Sequence, residues 1–249
     1  TCYFNGAITT DLSYFIQHGT KIAGIIAAKS NNGIGISGIV SKIKLMICKT
    51  VTFSVSEIIP LINYAIEHKA NIVNCSWGFE REPLGIKEAI KEGKKNGIIF
   101  VCAAANYPLD HDNNGDWPTS WNNELKNIIT VTSSQNQDLH YYSGYGTKTI
   151  HLAAPGRLIV STAMVNNKSR YVYTSGTSFA TAFVSAALAL TKAQFPKETY
   201  LEQINRIVKS VDILPDFQNK TISGGRLNLY KSLIYGVSGS GISTNTEIS

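Results

Sequence analysis

Short apolar runs alternate with amphipathic segments along the first half of the chain, and this alternation limits the folds that are open to it. The apolar runs cover residues 43–49, 71–76 and 98–103, and segments of helical periodicity, 56–68 and 84–96, lie between them. A β-α-β-α-β series predicts a parallel sheet covered by helices on both faces, with sites at the carboxyl ends of the strands. We therefore expect an α/β fold with a crevice where the apolar runs end.

The second half of the chain continues this pattern and then ends on helices. The predicted strands are 127–132, 149–153, 158–162 and 171–174, and the predicted helices are 178–193, 197–210 and 227–235. A chain of 249 residues, 43% of them hydrophobic, can bury one substantial core. We expect one domain over residues 1–236 and a polar tail over residues 237–249.

The charge balance argues against a nucleic-acid partner. The net charge is +6, but the basic residues are scattered over helical faces, as are Lys87, Lys91, Lys94 and Lys95. A solvated surface explains that distribution better than a basic arm does. No apolar run reaches the roughly 20 residues that a membrane helix requires, so we also expect no membrane span. The chain begins at Thr1 rather than at Met, which indicates a processed product or an excised fragment.

Three of the four cysteines lie within or at the end of short apolar runs that read as buried strands. These are Cys48, Cys75 and Cys102. Because cysteine packs as a small hydrophobe, free core thiols are favoured over disulfides at these positions. The cysteines therefore say nothing about the cellular compartment.

Ser178 is a candidate nucleophile, because it lies in a small-residue turn that opens the predicted helix 178–193. Gly176 precedes it, and Ala180 and Ala182 leave the first helical turn uncrowded. Unpaired N–H groups and the positive dipole end at a helix N-terminus favour a developing negative charge. An ordinary N-cap serine is an equally good interpretation of this segment taken alone.

One of the five histidines stands out by its context. His18 begins a predicted helix whose small residues allow close packing against the sheet. His68, His111 and His140 have polar or charged neighbours and are predicted to be surface residues. His151 alternates within a predicted strand and is packed or exposed according to its face.

Five segments together resemble the subtilisin-like serine proteases, the subtilase family. They read HGTKIAG at 18–24, NCSWG at 74–78, AAAN at 103–106, LAAPG at 152–156 and GTSFA at 176–180. One such match is weak, but five in the order of the family, joined by the expected strands and helices, are specific. The resemblance implies a three-layer α/β/α subtilisin-like fold with a mainly parallel central sheet, lacking the strand that carries the catalytic aspartate.

The resemblance also implies residue roles. Ser178 attacks the scissile carbonyl, His18 acts as general base, and the Asn106 side chain with the Ser178 N–H holds the oxyanion. The chain is thus expected to be a serine endopeptidase that cuts extended peptide or protein substrates. The substrate is expected to add as a strand and to place one side chain in a pocket. The predicted substrate-binding residues are Ser76, Trp77, Gly78, Ala103, Ala104 and Ala105.

The aspartate of the triad has no good match. Asp11 is the sole acidic residue before His18, and it lacks the apolar strand and the Asp-Ser/Thr-Gly motif of the family. The chain is therefore either a piece of an active protease or a catalytically silent peptide-binding homologue. Lys21, Ala105 and Ala182 also depart from the residues usual in the family at their positions.

No cofactor is required for this chemistry, but structural calcium is expected on two loops. Asn32 with the carbonyls of Ile34 and Ile36 resembles a family calcium loop. Asp110, Asp112 and Asn114 repeat oxygen ligands at alternate positions. A solvated loop is the competing interpretation of the second set, because no glutamate closes it.

The family resemblance also sets expectations about partners and location. The expected partners are an extended substrate and the protein's own N-terminal segment or propeptide, and the protein is expected to be a monomer. We expect a secreted or cell-surface location by resemblance alone.

Overall fold

A six-stranded sheet forms the centre of the protein. The computed structural model describes residues 13–50 and 52–237. In chain order, the strands of this sheet are β1 (Ile72–Cys75), β2 (Ile99–Ala103), β3 (Ile128–Ser134), β4 (Leu152–Pro155), β7 (Asp212–Ile213) and β8 (Gly225–Arg226). Their order across the sheet is β1-β2-β3-β4-β8-β7, parallel except for the β7–β8 pair. Two further strands, β5 (Ile159–Val165) and β6 (Lys168–Thr174), form a separate antiparallel hairpin.

Helices cover both faces of the sheet. They are α1 (Ser13–Ala27), α2 (Val55–Glu67), α3 (Leu84–Lys95), α4 (Asn122–Leu125), α5 (Thr177–Gln194), α6 (Tyr200–Lys209) and α7 (Leu229–Ile234). Strands β2 and β3 are buried along their whole length, which explains why β2 reads as a continuous apolar run. The expected α/β architecture with a mainly parallel sheet is confirmed.

Alternate residues of β2 serve different cores. Phe100 and Cys102 pack with α2 and α3 on one face, while Val101 packs with α5 and α6 on the other. This is the period of two that a strand imposes on its side chains. The sheet therefore separates two apolar clusters, and the carboxyl ends of its strands lie between them.

Specific polar contacts stabilise helices α6 and α7. Thr199 and Glu202 form a capping box at the start of α6. The buried Arg206 pairs with Glu198, and its guanidinium also donates to the backbone carbonyls of Ser232 and Tyr235. The major buried cation of this region therefore has both a charge partner and hydrogen-bond acceptors.

The first helix packs differently from the sequence expectation. It starts at Ser13, so His18 lies inside α1 rather than at its beginning. Its small face meets the β5–β6 hairpin and α5 instead of the central sheet, since a Cβ at Gly24 would lie 2.2 Å from the Thr162 hydroxyl. Ile22 and Ile26 pack with Phe179 of α5. A periodic pattern predicts a buried face but does not specify which element covers it.

The predicted strand at 43–49 is wrong for the described structure. This segment forms no strand, and Ile43, Leu45, Met46 and Ile47 are 37–57% exposed. Cys48 is exposed as well, whereas Cys75 and Cys102 are buried free thiols. In the described part of the chain no neighbouring strand pairs with this segment, so neither a hydrogen-bond ladder nor a core forms around it.

Most of the other predicted elements are confirmed to within a few residues. The exception is the strand predicted at 149–153, which instead covers Leu152–Pro155. Among the helices that the structure describes, none has the length and apolar character needed to cross a bilayer. Apart from Val237, the predicted tail lies outside the described residues.

Candidate active site

The carboxyl ends of β1 and β2 bring the predicted site segments together. The two strands are parallel, with Cys75 opposite Cys102, so the segments that follow them leave the sheet side by side. The N-terminus of α5 meets them there, since the Ser76 hydroxyl donates to the backbone carbonyl of Ser178 at 3.0 Å. The segments that begin at Ser76, Ala104 and Thr177 thus meet where the strand pattern predicts a crevice.

Ser178 is the second residue of α5 and is 7% exposed. Gly176 precedes the helix at a φ of 142° and caps it without a side chain. A side chain at Gly176 would be strained at this φ and would also press on Asn106, because a Cβ there would lie 3.1 Å from Asn106 Oδ1. The hydroxyl of Ser178 lies 3.5 Å from the carbonyl oxygen of Ser76, a long contact that leaves it able to turn to another partner.

A chain of side-chain hydrogen bonds fixes Ser178 relative to β1. Ser185, two turns along α5, donates to Asn74 Oδ1 at 2.8 Å, and Asn74 Nδ2 donates to the Ser76 hydroxyl at 2.8 Å. Ser76 in turn holds the Ser178 carbonyl. Sequence reasoning missed Asn74 and Ser185 as positioning residues, although an asparagine within an apolar strand run is a signal that could have identified Asn74.

The Asn106 side chain is oriented by the residue before the candidate nucleophile. Its Oδ1 accepts hydrogen bonds from the backbone N–H of Thr177 at 2.8 Å and from the Thr177 hydroxyl at 3.0 Å. Because Oδ1 accepts these bonds, the Nδ2 donors in the same amide plane point away from Thr177. Ala105, just before it, has a φ of 45°, a left-handed conformation that costs a residue with a Cβ about 1–2 kcal/mol.

His18 lies over the start of α5. Its ring centroid is 5.5 Å from that of Phe179, the residue after Ser178. Burial lowers the pKa of His18 below its ordinary value of 6.5, and the nearby Lys21 ammonium lowers the pKa further. The imidazole is therefore neutral at pH 7, as a general base must be. In this structure no hydrogen bond joins the ring to Ser178.

No carboxylate of the described residues contributes to the His18 pKa. Asp11, the poor candidate for the orienting acid, lies outside the described residues. The described structure thus places Lys21, rather than an acid, beside the candidate base.

The predicted substrate-binding segments flank this crevice. Ala103 and Ala104 are buried, and Ala105 is half-buried. On the other side Gly78 is exposed, and the Trp77 ring stands edge-on to Phe79 at 5.7 Å. The first segment thus has only small side chains and the second an exposed glycine, a combination that suits an extended ligand.

His111 was predicted to lie on the surface, and the structure contradicts this. The side chain is 4% exposed, and burial lowers its pKa to about 4. His140 is half-buried as well, with burial lowering its pKa, whereas His68 is exposed as expected. Polar sequence neighbours misled the prediction, because the loops after β2 and β3 fold back over both rings. Burial also lowers the pKa of His151 to about 4.

The loop at 110–116 uses its oxygens within the protein. The Asp112 carboxylate accepts hydrogen bonds from Thr147, Lys148 and Thr149 at 2.8–3.2 Å. Asp110 likewise accepts from the backbone N–H of Asp112 at 3.0 Å. These donors take the lone pairs that a calcium ion would need, so Asp112 does not fit as a calcium ligand in this geometry.

The loop at 31–36 has its own internal hydrogen bond. Asn32 Oδ1 accepts from the N–H of Ile34 at 3.0 Å. Calcium binding by Asn32 and the carbonyls of Ile34 and Ile36 stays a prediction. Within the residues that the structure describes, no group of three or more His, Cys, Asp or Glu side chains is arranged to hold a metal ion.

Comparisons with known proteins identify relatives of this chain. The Major intracellular serine protease of Bacillus subtilis is 36% identical over 203 residues, which make up 78% of this chain and 60% of that protein. Subtilisin-like protease 3 of Plasmodium falciparum is 32% identical over 234 residues, 86% of this chain and 30% of that protein. The chain therefore spans less than two thirds of either relative.

Solved structures and a family model extend the comparison. A protease of Pseudoalteromonas arctica superposes with a TM-score of 0.74 and 26% identity, over 87% of this chain and 70% of that chain. Fervidolysin from Fervidobacterium pennivorans, at 22% identity, shares the fold with a TM-score of 0.75 over 87% of this chain and 36% of its own. The model of the subtilase family matches residues 7–224. The chain belongs to the subtilase family.

Proposed function

We propose that this chain is the catalytic part of a serine endopeptidase in which Ser178 is the nucleophile. The observation that carries the proposal is the joint placement of Ser178 and Asn106. Thr177 orients the Asn106 amide, and Ser76 holds the Ser178 carbonyl at the same helix start. A hydroxyl and a fixed amide donor at one helix N-terminus are two of the parts that acyl transfer requires.

The reaction proceeds in two halves. His18 accepts the proton of the Ser178 hydroxyl as the oxygen attacks the scissile carbonyl, and Asn106 Nδ2 with the Ser178 N–H stabilises the oxyanion. The C–N bond then breaks, His18 gives its proton to the leaving amine, and an ester remains on Ser178. Water attacks this ester with His18 again accepting a proton, which releases the new carboxyl end and restores the hydroxyl.

The substrate is an extended segment of peptide or protein. It adds beside Ser76, Trp77 and Gly78 through main-chain hydrogen bonds. The side chain before the cut enters the space between this segment and the one at 103–105. The protein's own N-terminal segment or propeptide is a second peptide that can occupy the same groove.

A silent peptide-binding homologue is the second candidate. One observation favours it: in the described residues Lys21, and no carboxylate, acts on His18. Loss of the orienting acid lowers kcat of such triads by about 10⁴. The groove would still bind extended peptides, because main-chain pairing does not depend on the acid.

Labelling with a sulfonyl fluoride separates the two candidates. The full-length gene product is incubated with the probe, and the modified residue is located by mass spectrometry. We expect covalent label on Ser178, loss of label in Ser178→Ala, and unchanged label in Ser169→Ala, since Ser169 is an exposed hairpin serine. Absence of label on Ser178, while a control subtilase is labelled, would favour the silent homologue.

Other parts of the proposal rest on family membership. We infer one peptidase domain over residues 1–236, a monomer, and no resident cofactor for the chemistry, with calcium at 32–36 as a structural addition. The relatives do not agree on a location, because the Bacillus protein is named an intracellular protease. We propose an extracytoplasmic location from family resemblance alone, and fractionation of the native host tests it.

A further inference from the structure

Asp116 lies against the backbone of the substrate segment. A Cβ built on Gly78 would be 2.9 Å from Asp116 Oδ1 and 3.3 Å from Oδ2. The cause is a short antiparallel bridge, in which the backbone groups of Phe79 and Trp117 exchange hydrogen bonds of 2.8 and 3.0 Å. This bridge places the carboxylate beneath the segment at 76–79.

The carboxylate is also close to the opposite wall. Its charge acts on Tyr107, which follows Asn106, and on Cys102, which precedes Ala103. Asp116 is therefore bounded by the same two segments that are proposed to receive the substrate side chain.

Among the described residues, no positive charge balances the Asp116 carboxylate. Asp116 is 6% exposed, and no described cation forms an ion pair with it. Thr119 and Ser120 donate hydrogen bonds to the backbone carbonyl of Asp116 at the start of the next turn, and the Thr119 hydroxyl also interacts with the carboxyl group. Burying an unpaired carboxylate is costly, and such groups elsewhere in proteins are paired.

Another buried charge of the described residues does have a partner of opposite sign, since Arg206 pairs with Glu198. Burial raises the pKa of Asp116 to about 7, while the Thr119 hydroxyl opposes this rise and Glu80 adds to it. A cation brought from outside would relieve the cost that the fold itself leaves in place.

We propose that Asp116 forms the floor of the pocket for the substrate side chain before the cut and selects lysine or arginine there. Either side chain has a long apolar stem that suits the alanine wall and a cationic end that pairs with the carboxylate. The inference rests on the proposed function for the direction in which the substrate lies. It adds the chemical class of residue that the enzyme cuts after.

Binding of uncut peptides tests this without relying on catalysis. Three fluorescent peptides differ only in the residue before the scissile bond, which is arginine, neutral citrulline or leucine. Their affinities are measured by anisotropy at about pH 8.5 on the full chain carrying Ser178→Ala. We expect arginine to bind about 10- to 100-fold more tightly than citrulline, the range of a charge-assisted hydrogen bond.

Two further substitutions assign the effect to this carboxylate. Asp116→Asn is expected to reduce the arginine-to-citrulline ratio to less than about threefold. Glu80→Gln, which removes an exposed carboxylate from the same neighbourhood, is expected to leave the ratio unchanged. If Asp116→Asn does not fold, the arginine-to-citrulline affinity ratio of the protein that retains Asp116 decides whether the inference stands.

The outcomes separate this inference from the proposed function. Equal binding of arginine and citrulline, survival of the preference in Asp116→Asn, or failure of the arginine peptide to bind overturns the inference. Hydrolysis of the leucine peptide by the unmodified protein, without preference for arginine, also overturns it but supports the protease. Arginine-selective binding without hydrolysis of any peptide supports the pocket and contradicts the protease.

Discussion

Replacing Asp116 with asparagine is expected to change how the stability of the protein depends on pH. Burial raises the pKa of this carboxyl from 3.8 to about 7. Between these values the folded protein keeps the proton and the unfolded chain has lost it, so the free energy of unfolding falls as pH rises. The contribution of Asp116 is thus fully present in acid and is gone above pH 7.

The size of the effect follows from the shift. Each pH unit in the window is worth about 1.4 kcal/mol, so the two units from about pH 5 to pH 7 cost the wild type about 3 kcal/mol. Asp116→Asn carries no titrating group at this position. From about pH 5 to about pH 8.5, the wild type is therefore expected to lose about 3 kcal/mol of unfolding free energy relative to Asp116→Asn.

Denaturant unfolding at several pH values measures this difference. The buried histidines also titrate on the acid side, but they are common to both proteins, and taking the difference removes their contribution. Glu80→Gln serves as the control and is expected to shift by less than about 0.5 kcal/mol, because its carboxylate is solvated. A wild type and Asp116→Asn that differ by a constant amount across the range would refute a buried, protonated Asp116.

Three other predictions concern the site and the packing of α1. Ala105→Gly is expected to raise the free energy of unfolding by about 0.5–1 kcal/mol in denaturant melts, because glycine accepts the φ of 45° without strain; a loss of stability would contradict the strain. Gly24→Ala is expected to lower the free energy of unfolding by about 1–3 kcal/mol, because α1 packs closely at this position. Gly19→Ala is the control and should not destabilise the protein, since a Cβ there meets nothing within 4 Å. Equal effects of the two substitutions would disprove the close packing of α1. In an active full-length protein the acid limb of kcat/KM should have its midpoint below pH 6.5, and Lys21→Gln should move it upward; a midpoint unchanged by this substitution would exclude the proposed influence on His18.

The fold class could be predicted because its signals are local. A buried parallel strand needs a continuous apolar run, as in β2, and a helix start such as that of α6 needs a capping pattern. The candidate nucleophile and Asn106 could be located for a similar reason. Asn106 follows strand β2 closely and Ser178 lies at the start of helix α5, and both elements have clear sequence patterns. The order of strands and helices therefore predicts that the two residues are close together.

The failures concern contacts between segments that are distant in the sequence. The apolar run at 43–49 has the composition of a strand, but pairing depends on a neighbour, and the described part of the chain supplies none. His111 has polar neighbours in sequence, yet it is buried because the loop that carries it folds back onto the protein. The composition of a segment indicates which secondary structure it prefers, whereas its burial depends on which other parts of the chain pack against it.

Asp116 marks the boundary between the two kinds of information. The alternation of apolar and amphipathic segments was enough to predict the α/β fold, and the resemblance to subtilases was enough to predict that Ser178, His18 and Asn106 share one crevice. In the sequence, Asp116 was merely the end of a polar loop. Only the backbone bridge between Phe79 and Trp117 turns its carboxylate beneath Gly78, because a pairing across nearly forty residues is set by the packing of the whole domain and not by its local sequence.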